Sequence, residues 1–131
     1  MPLHIERRPR HILVHGTGLE NLAEAQQHFR ELSSLLVAER RTTRGVRLII
    51  DLRAAAPHAP EVASHIERVL PVLYRASDRV AVVVRDSIRR NETKRSHDPS
   101  YTDVFLTLEA AEAYLGQAHA RPCSLSRAGV A

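Results

Sequence analysis

"RLIIDLRAAAPHAPEVASHIERVL", residues 47–70, and the "RVAVVV" that follows it at residues 79–84 decide the fold. The first stretch opens as an apolar strand and crosses a proline-marked linker. It then continues as a helix with apolar residues at three- and four-residue spacing. Pro60 falls in the first helical turn, where its missing amide donor costs nothing. Val62, Ile66, Val69 and Leu73 form the buried stripe of that helix. Pro71 removes one helix bond and is expected to kink or loosen the last turn. The second stretch is almost continuously β-branched, as in a central strand covered on both faces. Strand, helix and strand in this order call for a parallel pair joined by a crossover.

Working outward, "LHIE" (3–6) and "RHILVHG" (10–16) read as a hairpin about "RRPR", with Pro9 in the turn because it cannot donate to a ladder. "TGLE" (17–20) has the form of a capping box, Thr17 with Glu20, and predicts a helix over 19–39. Leu22, Ala25, Phe29, Leu32 and Leu36 make its apolar face, and Arg40 and Arg41 stand at its negative end. Gly45 closes the connection to the next strand. A short polar helix is expected to follow Ser87 as its cap, a strand in "TDVFLTL" (102–108), and a last helix capped by Thr107 with Leu108, Ala111 and Leu115 inward. The order is ββαβαβ(α)βα. It defines a single α/β domain over 1–117 with a mainly parallel four- to five-stranded sheet covered by helices. Residues 118–131 show no period and are expected to be a disordered tail.

The composition narrows the function. A chain of 131 residues is one domain, and 44% hydrophobic with 26% charged residues is ordinary for a globular protein. No apolar run approaches the ~20 residues of a membrane span. The start of the chain lacks the apolar core of a signal peptide, so the expected location is cytoplasmic. Cys123 is the only cysteine, which excludes an internal disulfide or a cysteine-based zinc site. A net charge of +4 is small and dispersed. Arg85, Arg89, Arg90, Lys94 and Arg95 are interleaved with Asp86, Glu92 and Asp98, so a solvated polar segment is favoured over a nucleic-acid face.

Motifs for chemistry are scarce. There is no G-x-S-x-G nucleophile turn, and "HGTG" lacks the rest of a dinucleotide fingerprint. His58, Glu61 and His65 have conceivable ligand spacing, but no HExxH pattern accompanies them, and no metal site is expected. Asp51, at a strand end, is expected to accept amide bonds or to pair with a nearby arginine. Topology supplies one positive expectation, because ligands of open α/β sheets gather beyond the carboxyl ends of the strands. That rim gathers Thr17, Arg53, His58, Arg85, Ser87 and Arg89 as a partner- or anion-binding surface, with Arg53 and Arg85 as the anion holders.

"HGTG" before a long helix, "LIIDLR" with its linker and "PEVASHI", "RVAVVV" with "DSIRR", and the closing "VFLTLEAAEAYL" occur in the order found in a known family. Over residues 3–117 the chain resembles the SpoIIAA-like branch of the STAS domain superfamily. The resemblance implies a non-catalytic module without a cofactor. Such modules dock on protein partners under control of a phosphoserine at the start of the helix after the central strand. Here no residue between Asp51 and Glu61 bears a hydroxyl, so that switch does not carry over. The leading expectation is therefore a non-enzymatic interaction or regulatory module that binds a protein partner or itself, as a homodimer. The alternative is a small-ligand or lipid-binding domain, since lipid-carrying domains share this architecture. An apolar cavity of roughly 300 Å³ or more is the mark of the second, and a shallow Arg-edged surface of the first.

Overall fold

The computed structural model describes residues 3–120. Strands β1 (Leu3–Arg7), β2 (Ile12–Gly16), β3 (Arg47–Asp51), β4 (Arg79–Val83) and β5 (Thr102–Phe105) form one sheet in the order β1-β2-β3-β4-β5. The β1–β2 pair is antiparallel and the other three pairs are parallel. Helices α1 (Leu22–Glu39), α2 (Pro60–Leu73), α3 (Ser87–Arg95) and α4 (Leu108–Ala120) follow β2, β3, β4 and β5 in turn. The element order and the mainly parallel sheet are those read from the sequence. Pro9 lies in the hairpin turn, which the Arg8 amide closes on the His11 carbonyl at 2.8 Å.

Strand alternation divides the core between two faces. Leu48, Val80, Val82 and Val104 join Leu32 and Leu36 of α1 and Leu70 and Leu73 of α2 on one face. Ile49, Ala81 and Val83 meet Ala111 and Leu115 of α4 on the other. Residues 80–83 are each at most 1% exposed, which is why this strand carries no polar side chain between Arg79 and Arg85. In α2 the expected stripe is present, with Val62 and Leu73 buried and Ile66 and Val69 partly so, and Leu70 joins it. Pro71 sits inside the helix, yet the Tyr74 amide still reaches the Leu70 carbonyl at 3.2 Å.

Two helix starts differ from the sequence reading. Asn21, not Thr17, caps α1: its Oδ1 accepts the Glu24 amide at 2.9 Å, and the Glu24 carboxylate accepts the Glu20 amide at 2.9 Å. The cap moves because the chain must first bury Leu19 against Ala25 and Val62. Gly18 makes that turn at φ +112°, a conformation other residues rarely adopt. Asp86, not Ser87, caps α3, with Oδ1 accepting the Arg89 amide at 2.8 Å, and Ser87 becomes the first helical residue. At that position a carboxylate also meets the positive helix end, which a hydroxyl does not exploit. Thr107 does cap α4, accepting the Ala110 amide at 3.1 Å. The domain limit drawn at residue 117 falls inside α4, and residues 121–131 of the expected tail lie outside the described residues.

The connections at the amino ends of β3 and β4 converge on Asp78, which is 1% exposed. Its carboxylate accepts the Val46 and Arg75 amides at 2.9 Å each and pairs with the Arg40 guanidinium. Arg40 also donates to the Leu73 carbonyl at the end of α2, at 2.9 Å. A Cβ on Gly45 would lie 1.8 Å from the Ser77 carbonyl oxygen, so the two loops touch through backbone. Removing one partner of a buried pair strands the other charge and typically costs about 3–5 kcal/mol. Asp78→Ala is expected to lower the unfolding free energy by about that amount in a urea titration. A loss no larger than that of an exposed-residue control would mean that the loops are held by other contacts.

Candidate functional site

The carboxyl edge of the parallel strands is only partly the surface expected of it. Arg53 is exposed but folds back on Asp51, with Nε and Nη2 donating to the two carboxylate oxygens at 2.9 and 2.8 Å. The Arg53 amide adds a third bond at 3.1 Å. These bonds hold the Asp51 carboxyl below the usual carboxylate range and raise the guanidinium. This is the structural role expected of Asp51, and it occupies the fork that an anion would need. Thr17, Arg85 and Ser87 are exposed and Arg89 is partly buried. The loop at Thr17 meets the linker after β3 through the Ala56 amide, which donates to the Thr17 carbonyl at 3.1 Å. His58 turns inward from that linker. A Cβ on Gly18 would lie 3.3 Å from its Nε2, so the glycine gives the imidazole its space.

His58 enters a cavity of about 290 Å³ between α1, α2, α3 and the sheet face beneath them. Val14, Leu32, Ile50, Ile66, Leu70 and Val82 give it apolar walls. Of the lining residues only Glu67 on α2, and Glu92 and Ser96 on α3, are exposed, so the opening lies between those helices. The α3 wall is unusual in burying no residue of its own, and its one large apolar side chain, Ile88, is 71% exposed. A helix of this composition cannot seal an apolar face by packing into it, and the space beneath it stays open.

The polar groups of the lining are His28, His58, Tyr74, Thr93 and His97 together with the residues of the opening. Burial lowers the imidazoles of His28, His58 and His97, His28 to about 4 despite the opposing pull of Glu31. Burial also raises the Tyr74 phenol, with the Asp78 carboxylate adding to the effect. All four are neutral at neutral pH. No lysine or arginine lines the cavity. His97 Nδ1 lies 2.8 Å from the Thr93 carbonyl and so carries the proton, leaving Nε2 as an acceptor. His58 Nε2 and Tyr74 Oη are shut off from solvent without a hydrogen-bond partner among the described residues.

Of the six rim residues expected from the sequence, only His58 lines the cavity. His28 did leave a signal, as a polar residue one position from Phe29 on the apolar face of α1. Tyr74, Glu92 and His97 left none, because four elements distant in sequence bring them to one place. Among the described residues no three His, Cys, Asp or Glu side chains are grouped to hold a metal, and no helix is long and apolar enough to cross a membrane.

These features define a single-domain α/β protein with a ligand-sized cavity under one face of its sheet. No family model matches the chain, and no curated protein matches it. Among solved structures it is similar to an uncharacterized protein of the DUF3478 family from Shewanella loihica PV-4, which has a SpoIIAA-like fold. The two are 17% identical with a TM-score of 0.67, over 86% of this chain and 91% of the other. The fold is therefore SpoIIAA-like, as the sequence resemblance implied.

His28 ties the stability of this region to pH. Above its ordinary value of 6.5 the imidazole is neutral in the folded and the unfolded chain alike, and it adds no pH dependence. Between 6.5 and about 4 the unfolded chain takes up the proton and the folded chain resists it, so stability falls as the pH falls. At pH 5 the loss from His28 alone is about 2 kcal/mol. His58 and His97, lowered by the same burial, act in the same direction. Denaturant titrations at pH 7 and pH 5 should show His28→Leu losing less stability than the unmodified chain. Equal losses would place the resisted proton elsewhere.

Proposed function

We propose that this chain is a non-enzymatic binding domain that holds a small, largely apolar molecule between α1, α2 and α3. The observation that carries this reading is the 290 Å³ cavity with its apolar walls, open between α2 and α3. An apolar cavity of about 150 Å³ already holds a benzene ring. Twice that volume suits a bicyclic molecule or a short isoprenoid, and is too small for most of a two-chain lipid. Its place under the sheet face agrees with the architecture that this fold shares with lipid-carrying domains.

Docking of a protein partner on the rim is the weaker reading. Of its six rim residues, Arg53 is engaged by Asp51 and His58 turns into the cavity. Arg85, Ser87 and Arg89 remain on the connection into α3, next to the wall of the cavity. A partner that reads this helix would sense whether the cavity is filled, so a regulatory role is compatible with ligand binding but secondary to it.

Native mass spectrometry of the chain purified from the cells that make it tests the reading. The expected result is a retained small molecule, displaced in an Ala63→Phe variant, whose side chain grows from the α2 wall into the cavity. An empty chain in stoichiometric complex with a protein would overturn the ligand reading in favour of docking.

A further inference from the structure

The ligand-binding reading leaves the chemistry of the ligand open, and the cavity lining narrows it. His28 is only 6% exposed, projects from the middle of the apolar face of α1, and has no hydrogen-bond partner among the described residues. Its neighbour is the Phe29 ring, edge-on at 4.9 Å, which offers it no acceptor. Unlike His58 Nε2 and Tyr74 Oη, its ring nitrogens are not sealed from solvent, and they can meet a molecule in the space that His28 lines. The apolar residues Ala25, Leu32 and Leu36 flank it on the same stripe, so His28 is the polar residue of that buried face. His28 is thus a polar atom pair held at the cavity with nothing of the protein's own to bind.

We infer that the cavity takes an uncharged molecule, mainly hydrocarbon, whose single hydroxyl or carbonyl oxygen pairs with His28. A neutral imidazole presents one N–H donor and one bare nitrogen acceptor. A hydroxyl satisfies either, and a carbonyl satisfies the donor. A carboxylate fits poorly on two counts. It would pass Glu67 and Glu92 at the opening, and inside it would find no lysine or arginine to offset its desolvation. Tyr74 and His58, also neutral and unpaired, line the same space and reinforce the preference for a neutral polar group over an ionised one.

This inference rests on the ligand-binding reading, and one experiment separates the two. The full-length chain is titrated at pH 7.5 with naphthalene, 2-naphthol and 2-naphthoate, matched in size and differing in the polar group. The expected order is 2-naphthol first, with naphthalene about tenfold weaker and 2-naphthoate weaker still, as one added hydrogen bond and one unpaired charge require. In His28→Leu the ratio of naphthol to naphthalene affinity should fall to about one. Naphthoate binding as tightly as naphthol overturns the inference, and so does a naphthol preference that survives His28→Leu. Either result leaves the ligand-binding reading standing. Failure of all three probes to bind overturns both. Where His28→Leu does not fold, His28→Phe takes its place with the same expected ratio.

Discussion

The Asp78 carboxylate is the constraint on which the rest of the arrangement depends. It stands at the amino end of β4 and bonds the amide just before β3, while Arg40 brings in the end of α1 and the end of α2. Four segments far apart in sequence are thereby fixed at one edge of the sheet. A buried ion pair contributes little to stability on balance, because desolvation offsets most of its attraction. What it does impose is geometry. Every bond that Asp78 accepts is aimed, so the two crossovers have one register in which the charge is satisfied and many in which it is not.

That fixed edge shapes the opposite face of the problem. Tyr74 lies between Leu73, whose carbonyl Arg40 holds, and Arg75, whose amide Asp78 holds. Its ring cannot drift, and it stacks obliquely on Tyr101 at 5.8 Å between centroids. Leu70 and Tyr74 therefore form a rigid end to the cavity. The α3 wall is held differently. It packs on β5 and is tied by a single exposed contact, Lys94 to Asp103 at 3.6 Å, of a kind worth little in water. One wall is anchored by a buried network and the other lies on the surface.

Much of this was legible in the sequence, and the exceptions share a cause. The valine run of β4, the stripe of α2 and the Thr107 cap are local patterns, with each residue's environment set by its neighbours in sequence. The Thr17 and Ser87 caps were misplaced because two capping residues stood within a few positions of each other. The choice between them fell to tertiary demands, the burial of Leu19 in one case and the pull of a carboxylate toward a helix end in the other. The pairing of Asp51 with a nearby arginine was legible at the strand end, and what the sequence left open was that Arg53 is that arginine and so is not free for an anion. The cavity was invisible for a deeper reason. A void is made by the absence of a side chain, and no period in the sequence marks where four elements fail to meet.

That void is also the strongest physical argument for a site. Residual cavity volume in a core costs about 24 cal/mol per Å³, and marginal proteins have only about 5–15 kcal/mol in total. The 290 Å³ space here opens to water between α2 and α3 and so carries less than that cost, but its apolar walls lack packing partners on one side. Longer apolar side chains at Ala63 or Thr93 would fill part of it, and a Leu at His28 would remove the unpaired imidazole at once. A sequence shaped for stability alone has these remedies within single substitutions. The space is instead kept, lined with neutral hydrogen-bonding groups and covered by a helix that buries no residue of its own.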